Sequence, residues 1–309
     1  MPQSLSSSFP IGVRYMMVSA LGFALMTSAV KLVSVHGIPV MEIVAARALV
    51  SLIISYVDVR RKGLSLLGHN KPLLMARGIF GTMALICVYY AVTTLPLAEA
   101  TILQYLHPVF TAILALFFLK ERVQMSTIIC IALCIAGLMT IVRPGFLFGE
   151  PGDMPTFSIL MALLGAFGSA CAYVVVRKLS QTEDSSVIIL YFPLVALPVS
   201  LVLMGGDFVV PDFQTAVLLI LVGVFTQIGQ VGITNAMKTE VASKATAYSY
   251  VQVIFSMVLG WALFNELPSH WTLIGGAMIM GGALVNVYGS MKAQAPKAAG
   301  TIAPGKQAV

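Results

Sequence analysis

Residues Thr101 to Phe110 read TILQYLHPVF and set Gln104, Tyr105, His107 and Pro108 inside a run that is otherwise close to continuous hydrocarbon. An amide, a phenol and an imidazole so close together can bind a polar solute, and the imidazole can also carry a proton. On a helix Thr101, Gln104, Tyr105, Pro108 and Thr111 follow i, i+3, i+4, i+7 and i+10 and share one face. Such a face is costly in an apolar medium unless it meets water, a ligand or a second polar face. The competing reading is structural: the hydroxyls bond carbonyls of their own helix, and the tyrosines pack between helices.

The medium follows from composition. Apolar residues make up 59% and charged residues 10% of the 309 positions, with a mean hydropathy of +0.95, whereas a soluble domain carries about 25% charged residues. The chain reads as an all-α membrane protein. Cut at its polar, Pro and Gly punctuation, residues 11 to 290 yield ten pieces of span length, each close to the ~20 residues that cross a bilayer. The Pro- and Gly-rich stretch 143–156 divides them into two halves, residues 1–145 and 146–290, with 291–309 read as a disordered cytoplasmic tail.

Basic residues set the orientation. With both termini inside, all of the 18 Lys and Arg fall on the cytoplasmic side except Lys31, Arg47 and Arg143. The net charge of +6 is thus a topology signal and not a nucleic-acid footprint. The N-terminus MPQSLSSSFP lacks the features of a cleaved leader. The four cysteines show no metal-ligand spacing, so no metal, cofactor or disulfide is expected. HExxH, GxSxG and carboxylate clusters suited to Mg-diphosphate are missing too, which argues against an intramembrane enzyme.

Shifted by 145 residues, the segment beginning GIFGTMALICVYY at Gly78 lies without a gap on the segment beginning at Gly223. Phe80/Phe225, Thr101/Thr246, Tyr105/Tyr250, Phe110/Phe255, Glu121/Glu266 and Gly137/Gly282 are identical, which apolar composition alone does not explain. More weakly, Gly22 falls on Gly168 and Lys31 on Arg177. The repeat unit is five helices. An odd count makes the second copy enter the membrane from the opposite side, and inverted repeats of this kind belong to secondary transporters with a site near the midplane.

The repeat supplies the second polar face: Thr246, Ser249 and Tyr250 answer Thr101, Gln104 and Tyr105, and both faces are expected to line one cavity. Tyr89, Tyr173, Gln227, Gln230 and Gln252 are further candidates, with Pro108 bending its helix. Arg47, near the midplane, needs a partner, because an unpaired charge there costs at least ~2.5–3.5 kcal/mol. Either a substrate carboxylate or Glu42 or Glu99 could serve. His107 is the candidate for proton coupling, against a structural bond to backbone. Ala132, Ala136, Ala277 and Gly281, with Gly275, Gly276 and Gly282, mark the fifth and tenth spans as close-packed scaffold.

The string PLAEATILQYLHPVFTAILALFFLKERV followed by IALCIAGLMTIVRP, with a second copy ending FSMVLGWALFNELPSHWTLIGGAMIMGGALV, resembles the EamA repeat of the drug/metabolite transporter superfamily. Arg47 fits that pattern, and Val253 departs from it where the second copy would carry proline. The resemblance covers nearly the whole chain, twice. It implies a ten-helix metabolite transporter with a central cavity lined by both repeats and favours export, without fixing the substrate; the amide- and phenol-rich faces make a small amino-acid-like metabolite, carried across a bacterial inner membrane, the expectation. The alternative is import of a larger zwitterionic or aromatic cofactor such as S-adenosylmethionine or riboflavin. The partners expected are the small-molecule substrate and membrane lipid, with a homodimer left open.

Overall fold

A computed structural model describes residues 11–118, 125–142, 154–239 and 251–294, and the regular structure among them is entirely helical. The helices are α1 (Ile11–Val35), α2 (Val40–Arg61), α3 (Lys71–Thr94), α4 (Leu97–Gln104), α5 (His107–Phe118), α6 (Met125–Val142), α7 (Thr156–Leu179), α8 (Ser185–Met204), α9 (Phe213–Thr239), α10 (Val251–Phe264) and α11 (His270–Gln294). Six of them, α1, α2, α3, α7, α8 and α9, are long and apolar enough to cross a membrane, and apolar stretches of α6 and α10 are shorter. This is an all-α membrane protein. Many large apolar side chains face outward, Leu49, Ile53, Phe167, Ile220 and Trp261 among them, while Glu42, Arg47, Glu99 and His107 are buried. That inverts the arrangement of a soluble domain and suits a lipid surround.

Local sequence sets the ends. Asn70 caps α3 by accepting from Leu73 N at 3.3 Å, with Pro72 in the first turn where its missing N–H costs nothing. Asp184 caps α8, accepting from Ser186 N at 2.9 Å. The fourth span is broken rather than merely bent: α4 ends at Gln104 and α5 starts at His107, with tight i−3 bonds at Tyr105 and Leu106 between them. Pro108 has no N–H to offer the Gln104 carbonyl, so the ladder fails one turn before it. Val253 holds the equivalent place and is helical, the third residue of α10. Helix α11 continues to Gln294, into the segment read as tail.

The main packing pairs are α1 with α9, α3 with α7, α2 with α8 and α6 with α11; α10 also packs on α1, and α5 on α7. Exchanging every helix for the one about 145 residues away turns α1–α9 into α3–α7 and α10–α1 into α5–α7, and returns α2–α8 and α6–α11 to themselves. Single residues follow. A Cβ on Gly22 would lie 2.9 Å from Gly229 N, and one on Gly168, at the matching place in α7, would lie 3.1 Å from the Cβ of Ala84, which matches Gly229. Close approach of α6 and α11 comes from Gly137, Gly275 and Gly282: a Cβ on Gly275 would meet the Gly137 carbonyl at 2.6 Å. Gly281 faces open space and Ala132 is exposed, so the small-residue seam lies one face away from the Ala132/Gly281 spacing.

Candidate functional site

A cavity of about 80 Å³ lies among α1, α2, α3, the α4–α5 break, α7, α8, α9 and α10. That is room for several waters, since about 10–15 Å³ in this measure holds one. Its described lining combines two guanidinium groups, Arg47 and Arg77, with the amides of Gln104, Gln230 and Gln252 and the rings of Tyr89, Tyr105, His107, Tyr173 and Phe192. No Asp or Glu is among those residues.

Arg47 on α2 is 2% exposed, and its Nε and Nη1 make no hydrogen bond among the described residues. Its Cζ lies 5.4 Å from the Tyr89 ring centre and 4.9 Å from that of Phe192. Arg77 on α3 is 4% exposed; one terminal nitrogen donates to Gln230 Oε1 at 3.2 Å, and its Nε is unbonded. Its Cζ also lies 4.9 Å from the Phe192 ring. Cation–π contact offsets part of the desolvation of each charge. The carboxylates that sequence offers to Arg47 are engaged elsewhere. Glu42 accepts from Val209 N at 3.0 Å, and Glu99 from Thr272 Oγ1 at 2.9 Å.

The broken span does the positioning at the centre. Leaving the helix at Tyr105 turns its hydroxyl to donate to Gln252 Oε1 at 2.7 Å, a buried bond from the first half of the chain to the second. His107, the first residue of α5, stands with its ring centre 5.3 Å from Tyr105 and 5.0 Å from Tyr173, and its Nδ1 has no hydrogen bond among the described residues.

Among the residues singled out by sequence, Arg47, Tyr89, Gln104, Tyr105 and His107 line this cavity, together with Tyr173, Gln230 and Gln252. Thr101 is turned into its own helix, donating to Leu97 O at 2.7 Å. Gln227 donates to Ser55 Oγ on α2 at 3.0 Å and lies outside the lining. Thr246, Ser249 and Tyr250 fall outside the described residues. Arg77 is the residue that sequence reading places wrongly. Counted there as a cytoplasmic cation, it sits seven residues into α3 and is buried. Phe192 carried no signal beyond its apolar character.

One end of the bundle is clasped. Lys31 on α1 pairs with Glu266, which follows α10, and donates to Leu95 O at 3.1 Å; the second Glu266 oxygen accepts from Leu97 N at 2.9 Å. At the other end Glu183, beside α8, accepts from the backbone N–H groups of His69 at 2.6 Å and Asn70 at 2.7 Å. Burial alone would raise the Glu183 pKa, but these bonds outweigh it and hold the carboxyl below its ordinary value.

Residues 10–143 and 156–288 each match the EamA-like transporter family. The chain belongs to that family. It is a multi-pass membrane transporter of the drug/metabolite transporter superfamily and not an enzyme. It is 32% identical over 272 residues to the pseudopaline exporter CntI of Pseudomonas aeruginosa, an alignment covering 87% of this chain and 93% of that protein. Solute carrier family 35 member G1 of Mus musculus is 31% identical, over 87% of this chain and 75% of that one. A crystal structure with 22% identity superposes with a TM-score of 0.66, covering 94% of this chain and all of that one, and speaks to the fold. The similarity to a bacterial exporter agrees with an inner-membrane location.

Proposed function

We propose that this EamA-family member is a secondary carrier that moves a small amino-acid-like metabolite out across the inner membrane by alternating access. The observation that carries the reading is the buried cavity at mid-length of the helices, with unpaired hydrogen-bonding groups on Arg47, Arg77 and His107 turned into it. Buried donors without partners are costly, and a bound solute offsets that cost. Arg47, Tyr89, Gln104 and Tyr105, with Arg77, would hold the solute. Thr246, Ser249 and Tyr250 would complete the site from the second repeat.

Alternating access finds support in the interchange of packing pairs, as two inverted five-helix repeats require. The doubled family match agrees with that division. With the N-terminus inside, the Lys31–Glu266 clasp closes the outer end. Export is favoured by the similarity to a protein named as an exporter. The cavity volume favours a small solute over a cofactor the size of S-adenosylmethionine or riboflavin.

The test is counterflow in proteoliposomes holding purified protein, with aspartate, glutamate, threonine, methionine, phenylalanine, S-adenosylmethionine and riboflavin, each with and without a pH gradient. Saturable exchange of a small amino-acid-like solute is expected. A response to the gradient that disappears in His107→Gln assigns proton coupling to that ring. Exchange of the two cofactors alone contradicts the small-solute reading.

A further inference from the structure

Two buried arginines face one cavity whose described lining includes no carboxylate. Each Cζ lies 4.9 Å from the centre of the same Phe192 ring, so the two guanidinium carbons are no farther apart than twice that distance. The Nε of each and Nη1 of Arg47 lack hydrogen bonds among the described residues, and both side chains are more than nine-tenths buried. The polar bond that Arg77 makes among the described residues goes to a neutral amide, Gln230. Elsewhere in the same bundle the chain pairs its cations, as Lys31 with Glu266 and Lys62 with Asp58 and Asp184. Among the described lining residues the cavity thus holds two arginines and no carboxylate.

We infer that the solute is a small dicarboxylate, with one carboxylate group held by Arg47 and the other by Arg77 across the Phe192 ring. The inference rests on the carrier reading above and specifies its substrate class. A guanidinium offers a planar pair of N–H donors that fits a carboxylate fork to fork. One carboxylate neutralises one arginine and leaves the other buried with its charge intact, whereas two satisfy both. A neutral zwitterion fits poorly, because its ammonium would enter a positive cavity in which the described lining offers it no carboxylate. An amino dicarboxylate is accommodated, with its ammonium on the amide and phenol oxygens of Gln104, Gln252 and Tyr89. The charge also supplies a direction. A net anion is driven outward by an inside-negative potential, so export needs no coupled cation.

The test uses the full-length protein in proteoliposomes under a potassium diffusion potential set with valinomycin. Efflux of radiolabelled aspartate, glutamate and malate is followed, with threonine, methionine and O-phosphoserine as comparison solutes. Expected are exchange of at least one dicarboxylate, no exchange of threonine or methionine, and faster efflux when the inside is negative. Arg47→Gln and Arg77→Gln should each lower dicarboxylate exchange at least tenfold, with the lysine variants retaining part of it. The wild-type solute panel decides the matter even where a glutamine variant does not fold. Exchange of the neutral solutes without the dicarboxylates overturns the inference and leaves the carrier reading standing. O-phosphoserine as the one accepted anion overturns the carboxylate assignment. No exchange of any solute by folded protein overturns both.

Discussion

Lys31 and Glu266, 235 positions apart in sequence, form an ion pair that joins α1 to the turn after α10 and, through Leu95 O and Leu97 N, to the junction of α3 and α4. Four segments thus meet at one pair of charges. The site is partly buried, with side-chain exposures of 11% and 28%, so each charge depends on the other for its solvation. Lys31→Ala leaves Glu266 without its cation and is expected to cost about 1–3 kcal/mol. The exchanged pair Lys31→Glu with Glu266→Lys should recover part of it. A double-mutant cycle of denaturant midpoints in detergent measures the coupling, and a coupling near zero shows that the pair does not clasp these segments.

The Tyr105–Gln252 bond joins the two halves across the cavity. Tyr105→Phe keeps the ring and removes the donor, so it should cost about 1 kcal/mol of stability. Transport should fall at least tenfold if the hydroxyl also orders the site. Tyr105→Ala and Tyr250→Ala, both well expressed, should each impair exchange; unchanged transport in both sinks the paired-face reading.

Crossing of α6 and α11 depends on glycine at Gly275, where an added Cβ would lie 2.5 Å from Ile141 Cγ1 and 2.6 Å from a backbone oxygen. Gly275→Ala is expected to destabilise by about 1–3 kcal/mol through overpacking. Gly281→Ala, on a face with nothing within 4 Å, should be neutral or slightly stabilising. Thermal unfolding of the pair in one detergent checks this, and equal effects at the two positions contradict the observed seam.

Glu183 binds two backbone N–H groups of the α2–α3 connection, and its folded-state pKa is lowered. A lowered carboxyl pKa means that the stabilisation is fully present above the unfolded value. It disappears as pH falls through the ordinary carboxylate range toward the folded value. Glu183→Ala should therefore cost about 1–3 kcal/mol at pH 7. The gap to wild type should narrow on acidification. A gap independent of pH between 7 and 3 assigns the loss to packing instead.

Much of the fold could be read from sequence because its causes are compositional or periodic. Span lengths, the 145-residue repeat and the pairing of Gly22 with Gly168 are written in residue type and spacing. The cavity lining was legible at Arg47, Tyr89, Gln104, Tyr105 and His107, whose polarity is conspicuous in hydrocarbon. Arg77 was not, because a cation near a span's end is usually interfacial and only the depth of α3 separates the two cases. Thr101 and Gln227 show the converse. A polar residue can satisfy itself locally or on a neighbouring helix, as these do on Leu97 O and Ser55. The break at Tyr105 is what rotates α5 off the single face that periodicity assigns to residues 101–111.

The central claim is that one cavity opens to the two sides of the membrane in turn. Ser169 lines that cavity. The measurement is the rate at which a membrane-impermeant maleimide labels Ser169→Cys, in protein with Cys87, Cys130, Cys134 and Cys171 replaced, from each face of oriented vesicles. The account predicts labelling from both faces, with Lys31→Ala raising the rate from outside and lowering it from inside. Labelling from one face alone, unchanged by Lys31→Ala, contradicts it.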